Sequence, residues 1–107
     1  MTTPVVKITL EDCGQDFLEW YVRDNLVIDC QPCQGMIWVG SKVKMEGDRI
    51  NVLTRFADKY QPLQYRAVEL VTLERDEARE VEGYGRKWAE MLELAPTALG
   101  LPEESAA

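Results

Sequence analysis

Phe17-Leu18-Glu19-Trp20-Tyr21-Val22-Arg23-Asp24-Asn25-Leu26-Val27-Ile28-Asp29-Cys30 is the stretch on which the fold turns. In an extended chain Leu18, Trp20 and Val22 fall on one face, with Glu19, Tyr21 and Arg23 on the other. Asp24-Asn25 separates that run from the apolar Leu26-Val27-Ile28. Both residue types tolerate positive φ, so a two-residue hairpin is predicted there.

Working outward, Val5 to Glu11 alternates in the same way, with Val6, Ile8 and Leu10 on the buried side. Asp12-Cys13-Gly14-Gln15-Asp16 has turn chemistry. Beyond Cys30, Pro32 and Gly35 break the chain. The apolar run Met36-Ile37-Trp38-Val39 then leads through Gly40-Ser41 into Lys42-Val43-Lys44-Met45. Gly40 within that pattern predicts a bulge or bend, as a small sheet needs when it curls toward a barrel. Glu46-Gly47-Asp48 makes a second hairpin turn that returns through Arg49 to Phe56, and residues 57–63 read as a loop. Gln64 to Leu73 is a last strand. Tyr65, Ala67, Val71 and Leu73 lie on one face and Val68 and Leu70 on the other, which suits a central position.

After Leu73 the period changes. Ala78, Val81, Tyr84 or Gly85, Trp88, Leu92 and Ala95 recur at intervals of three and four, the stripe of an amphipathic helix. Gly83 and Gly85 interrupt it, each at about 1 kcal/mol against alanine, so one frayed helix or two pieces are predicted over about 75–95. Pro96 stops the helix. The fold class is mainly β with a C-terminal helix (α+β). It is a small antiparallel curled sheet or SH3-like barrel of five to six strands, followed by one or two helices. Residues 1–95 form a single β-rich domain, and 96–107 a flexible tail. No helix separates the strands, which argues against βαβ architecture.

The 107 residues carry 12 bases against 19 acids, a net charge of −7 that argues against nucleic-acid and membrane partners. The imbalance is uneven. Lys42 to Arg66 holds six bases and three acids, so it is basic by +3, while the remainder is −10. Such polarity can orient a molecule on a partner. The opening Met1-Thr2-Thr3-Pro4 lacks a basic region followed by an apolar one, and three cysteines make no disulfide framework. A cytoplasmic protein with reduced thiols is therefore expected.

There is no histidine, which removes the commonest participant in metal binding and acid–base relays. Cys30-Gln31-Pro32-Cys33 has redox or chelating spacing, with Cys13 as a further thiol. The pair ends a strand and enters a Pro/Gly turn, whereas a reactive thiolate wants a helix N-terminus. Cys30 and Cys33 are thus weak metal candidates, and no cofactor is expected. The carboxylates Glu11, Asp12, Asp16, Glu19, Asp24 and Asp29 show no fixed pair or calcium-loop pattern. Aromatic and basic residues are more informative: Tyr21 falls opposite Trp20, and Met36 shares a side with Trp38. With Lys42, Lys44 and Arg49 these form the candidate partner-binding set, of a kind enriched at protein interfaces.

Cys13-Gly14-Gln15-Asp16-Phe17 with Glu19-Trp20, then Val27-Ile28-Asp29-Cys30-Gln31-Pro32, and Trp38-Val39-Gly40-Ser41-Lys42-Val43, resemble small accessory proteins of tailed bacteriophages and prophages of proteobacteria. The resemblance implies a phage accessory role in the host cytoplasm and brings no assigned activity or site residue. The functional expectation is a non-enzymatic protein–protein interaction module that binds and modulates a host protein. The alternatives are a virion or assembly component that self-associates through an edge strand, and a zinc or redox protein using Cys30 and Cys33.

Overall fold

The structure, a computed structural model, describes residues 3–12, 16–32 and 35–101. Six strands close an antiparallel barrel in chain order: β1 (Val6–Asp12), β2 (Asp16–Arg23), β3 (Leu26–Gln31), β4 (Lys42–Glu46), β5 (Arg49–Leu53) and β6 (Gln61–Thr72). One helical turn, α1 (Gly35–Trp38), lies between β3 and β4, and the helix α2 (Arg75–Met91) and a 3-10 turn (Pro96–Leu99) follow the barrel. This is the mainly β fold with a C-terminal helix that the alternation predicts. Asp24 and Asn25 both take positive φ (51° and 63°), closing the predicted hairpin.

Two apolar cores result. The first fills the barrel with Ile8, Leu10, Leu18, Trp20, Val22, Val27, Cys30, Val43, Ile50 and Val52. The second lies outside it, where α2 and the 3-10 turn cover β3: Val5, Ile28, Val39, Val81, Ala89, Leu99 and Leu101. A bulge makes the second core possible. Val22 pairs with Val27 and Tyr21 with Asp29, so Ile28 is the extra residue. Val27 and Cys30 stay inside while Ile28 and Asp29 both turn outward beneath α2.

Two sequence expectations change, at residues 36–39 and at the tail. Met36 to Val39 is not strand: Met36, Ile37 and Trp38 form a helical turn that plugs the barrel wall, where β3 and β4 pair only at Leu26 and Lys42. Helix α2 is a single helix, the first of the two predicted alternatives, and runs unbroken through both glycines. A Cβ at Gly85 would lie 3.2 Å from the Ile28 carbonyl oxygen, so glycine allows the close approach of helix to strand, whereas Gly83 faces open space. The loose tail expected from residue 96 instead begins with a docked segment, Leu99 and Leu101 being buried in the second core.

Strand β6 also differs. Val68 is the extra residue of a bulge against β1, since Leu10 pairs with Ala67 and Thr9 with Glu69. The phase flips there. Tyr65 and Ala67 pack on the barrel core, whereas Leu70 lies opposite Ile8 and Val71 opposite Lys7. The strand is not central throughout: β5 accompanies it only from Gln61 to Arg66.

Candidate partner-binding face

The six candidate residues occupy three separate places. Tyr21 sits on the outer face of β2 and packs against the second core. Burial pushes its hydroxyl pKa up, and Glu19, Asp29, Glu77 and Glu80 add to the shift by repulsion of the phenolate. Arg49 lies at the other extreme, at the start of β5, between Glu46 and Arg66. Met36, Trp38, Lys42 and Lys44 cluster around α1 and β4.

Trp38 does not form the exposed pair with Met36 that strand alternation implies. Its ring stacks at 5.2 Å on Trp20 inside the barrel, so it anchors α1. Met36 and Ile37 are left outside, both more than half exposed. Beside them stands Phe56, 89% exposed. Arg55 ties these together: its guanidinium donates a 2.7 Å hydrogen bond to the Met36 carbonyl and lies 4.8 Å over the Phe56 ring. Gly40, at φ +89°, makes room, because a Cβ there would come within 2.6 Å of the Arg55 side chain. The β4–β5 pairing puts Lys42 beside Leu53, and the Lys44 ammonium sits 4.3 Å over the Tyr60 ring.

Arg55 thus joins Met36 and Phe56 into an exposed apolar patch next to Ile37, and Lys42 and Lys44 are exposed on β4, which follows α1 in the chain. Sequence reasoning missed Ile37, Arg55 and Phe56. In the sequence Ile37 reads as one residue of an apolar run, and Arg55 and Phe56 as the end of a strand. The signal available was Arg55-Phe56 just before a polar loop.

A second cluster forms beneath α2. Asp29 is 2% exposed, and its Oδ1 accepts hydrogen bonds from the Cys30 backbone N–H (2.9 Å) and from Trp88 Nε1–H (2.8 Å). Burial pushes the carboxyl pKa up, opposed by the hydrogen bonds from Trp88, Cys30 and Gln31. Arg23, also buried, forms an ion pair with Glu82 of α2 and donates through Nε to the Thr3 carbonyl at 3.1 Å. Asp29–Trp88 and Arg23–Glu82 thus fasten the helix to the barrel by polar contacts. A cleft of about 220 Å³ opens beside them, lined by Lys7, Tyr21, Asp29, Glu77, Glu80 and Tyr84.

Cys30 is buried in the barrel core, and Cys33 and Cys13 lie outside the described residues. Among the described residues no group of three or more Cys, Asp or Glu side chains is placed to hold a metal ion. No helix among them is long and apolar enough to cross a membrane. No family model matches the chain, and neither a curated protein nor a solved structure matches it.

Proposed function

We propose that this protein is a non-enzymatic interaction module whose α1–β4 face takes an acidic segment of a protein partner that also presents an apolar side chain. The observation that carries this reading is Phe56: a phenyl ring 89% exposed yet held in place by Arg55, which is fixed in turn to the Met36 carbonyl. An exposed aromatic beside an arginine is the composition of an interface hot spot. Arg55, with Lys42 and Lys44 on β4, would steer an acidic partner toward this side in an otherwise acidic chain. The resemblance of residues 13–43 to phage accessory proteins makes a bacterial host protein the first partner to test.

Three immobilised proteins, the wild type, Phe56→Ala and Arg55→Glu, test this by capture from bacterial lysate with quantitative mass spectrometry. Phe56 has little to lose on truncation, so the fold should hold to within about 0.5 kcal/mol. A partner retained by the wild type and lost with both variants supports the face. A partner held equally by all three refutes it.

A further inference from the structure

The second half of β6 offers one edge without a strand. β1 pairs with it from Arg66 to Thr72, while β5 stops at Arg49 opposite Arg66. The last bond on the β5 side runs from the Ala67 N–H to the Asp48 carbonyl at 2.9 Å. Beyond it, Val68, Glu69, Leu70, Val71 and Thr72 are all exposed, and among the described residues no strand covers them on that side.

The direction of the backbone groups follows from one hydrogen bond. The Leu73 N–H donates to the Val5 carbonyl at 2.9 Å, so residue 73 faces β1. In an antiparallel ladder the N–H and C=O of one residue point to the same side and alternate along the strand. Leu70 and Thr72 therefore direct both groups to the open edge. Leu70 is also 55% exposed although it lies opposite Ile8, a core residue. Unpaired edge groups beside exposed apolar side chains are a template for strand addition.

The charges around this edge choose the occupant. Arg49 and Arg66, the latter ion-paired with Asp48, stand at one end of the free segment and leave that end net basic, and Glu74, Arg75, Asp76 and Glu77 follow its other end and leave it net acidic. An antiparallel partner with the same sequence reverses the ends. A two-fold axis through Leu70 sets Leu70 against its twin, Val68 against Thr72 and Glu69 against Val71, and brings residue 74 of the second copy toward the β4–β5 turn beside Arg49. No like charges meet within residues 68–72, and on each side of the axis the net basic end of one copy lies near the net acidic end of the other.

We infer that the occupant is a second copy of this chain, added antiparallel along residues 68–72 to join two barrels through a continuous sheet. The Leu70 N–H and C=O then exchange hydrogen bonds with the same groups of the other copy, and the two Leu70 side chains cover one another. This surface is separate from the Arg55–Phe56 face, so either assignment can fail without the other.

Sedimentation equilibrium over a wide concentration range tests it, with amide exchange as a second readout. The wild type is expected to dimerise, and raising salt should weaken the dimer because the flanking charges are exposed. Leu70→Lys brings two ammonium groups together and should weaken association by about tenfold or more. Leu70→Pro removes a donor that no β1 bond uses, so it should also give a monomer. Circular dichroism confirms that each variant keeps its fold, and Phe56→Ala should leave the dimer intact. In the wild type the Leu70 and Thr72 amides should gain protection as concentration rises. A wild type that stays monomeric at every concentration overturns the inference. So does a dimer insensitive to Leu70→Lys, or exchange at residues 70 and 72 that ignores concentration.

Discussion

Replacing Trp88 by Phe removes one of the two polar clasps between α2 and the barrel while keeping an aromatic ring in the second core. The lost bond is 2.8 Å long and ends on a carboxylate that is 2% exposed, so little water can replace it. A hydrogen bond to a buried charge contributes about 2 kcal/mol, and the smaller ring forfeits up to about 1 kcal/mol of apolar burial. The expected loss is about 2–3 kcal/mol at pH 7, or roughly a 10 °C or greater fall in Tm for a domain of this size. Urea denaturation followed by far-UV circular dichroism measures it. The pH dependence sharpens the test. Burial raises the folded pKa of Asp29 above its usual 3.8, so the folded state holds this proton more tightly than the unfolded chain. That contribution to stability is complete below the unfolded value and is lost as pH rises through the folded one. Trp88 opposes the shift by stabilising the carboxylate, so Trp88→Phe should cost least at acid pH and progressively more as Asp29 ionises. With Asp29→Asn the penalty of Trp88→Phe should fall by about 1 kcal/mol, because the acceptor is neutral. A penalty below about 0.5 kcal/mol, or one that is the same from pH 4 to 8 and in the Asn background, would refute the clasp.

Other substitutions follow from the same contacts. Gly83→Ala should stabilise by up to about 1 kcal/mol through helix propensity, whereas Gly85→Ala should destabilise by about 1–3 kcal/mol because its Cβ meets the Ile28 carbonyl at 3.2 Å; thermal melts of the two distinguish them. Arg23→Met leaves Glu82 without its cation in a partly buried site and should cost about 2–4 kcal/mol by urea titration, with much of the loss restored when Glu82→Leu is added. Gly40→Ala forces a side chain into φ +89° and against Arg55, so it should lower Tm and also detach the guanidinium from Met36, seen as a shift of the Arg55 Nη–H resonances.

Much of the barrel is legible in the sequence because strands covered on one face alternate strictly. Leu18, Trp20 and Val22 point inward as their spacing demands, and Asp24-Asn25 supplies the only backbone a tight hairpin accepts. Failures cluster where one residue answers to two cores. Val27-Ile28-Asp29-Cys30 carries no alternation because the bulge sends two successive side chains outward, so nothing local marks Asp29 as buried. Met36-Ile37-Trp38-Val39 is too short for its period to decide between strand and helix, and the Trp20 contact that settles it is long-range. Gly85 reads as a defect in a helix until β3 is placed against it. The candidate face suffered similarly: Lys42 and Lys44 follow from strand parity, but Phe56 depends on where β5 ends, and strand boundaries carry weak local signals.

The three indoles divide the molecule in a way that spectroscopy can exploit. Trp20 sits in the barrel interior, Trp38 leans on it from α1 with ring centroids 5.2 Å apart and planes tilted by 45°, and Trp88 touches a carboxylate under α2. Two chromophores that close and skewed couple their strong far-ultraviolet indole transitions, so a far-ultraviolet circular-dichroism couplet belongs to the Trp20–Trp38 pair. Its disappearance times the departure of the helical plug, while emission from Trp88 times the peeling of the outer helix. A single sample heated once would therefore show which layer of this protein yields first.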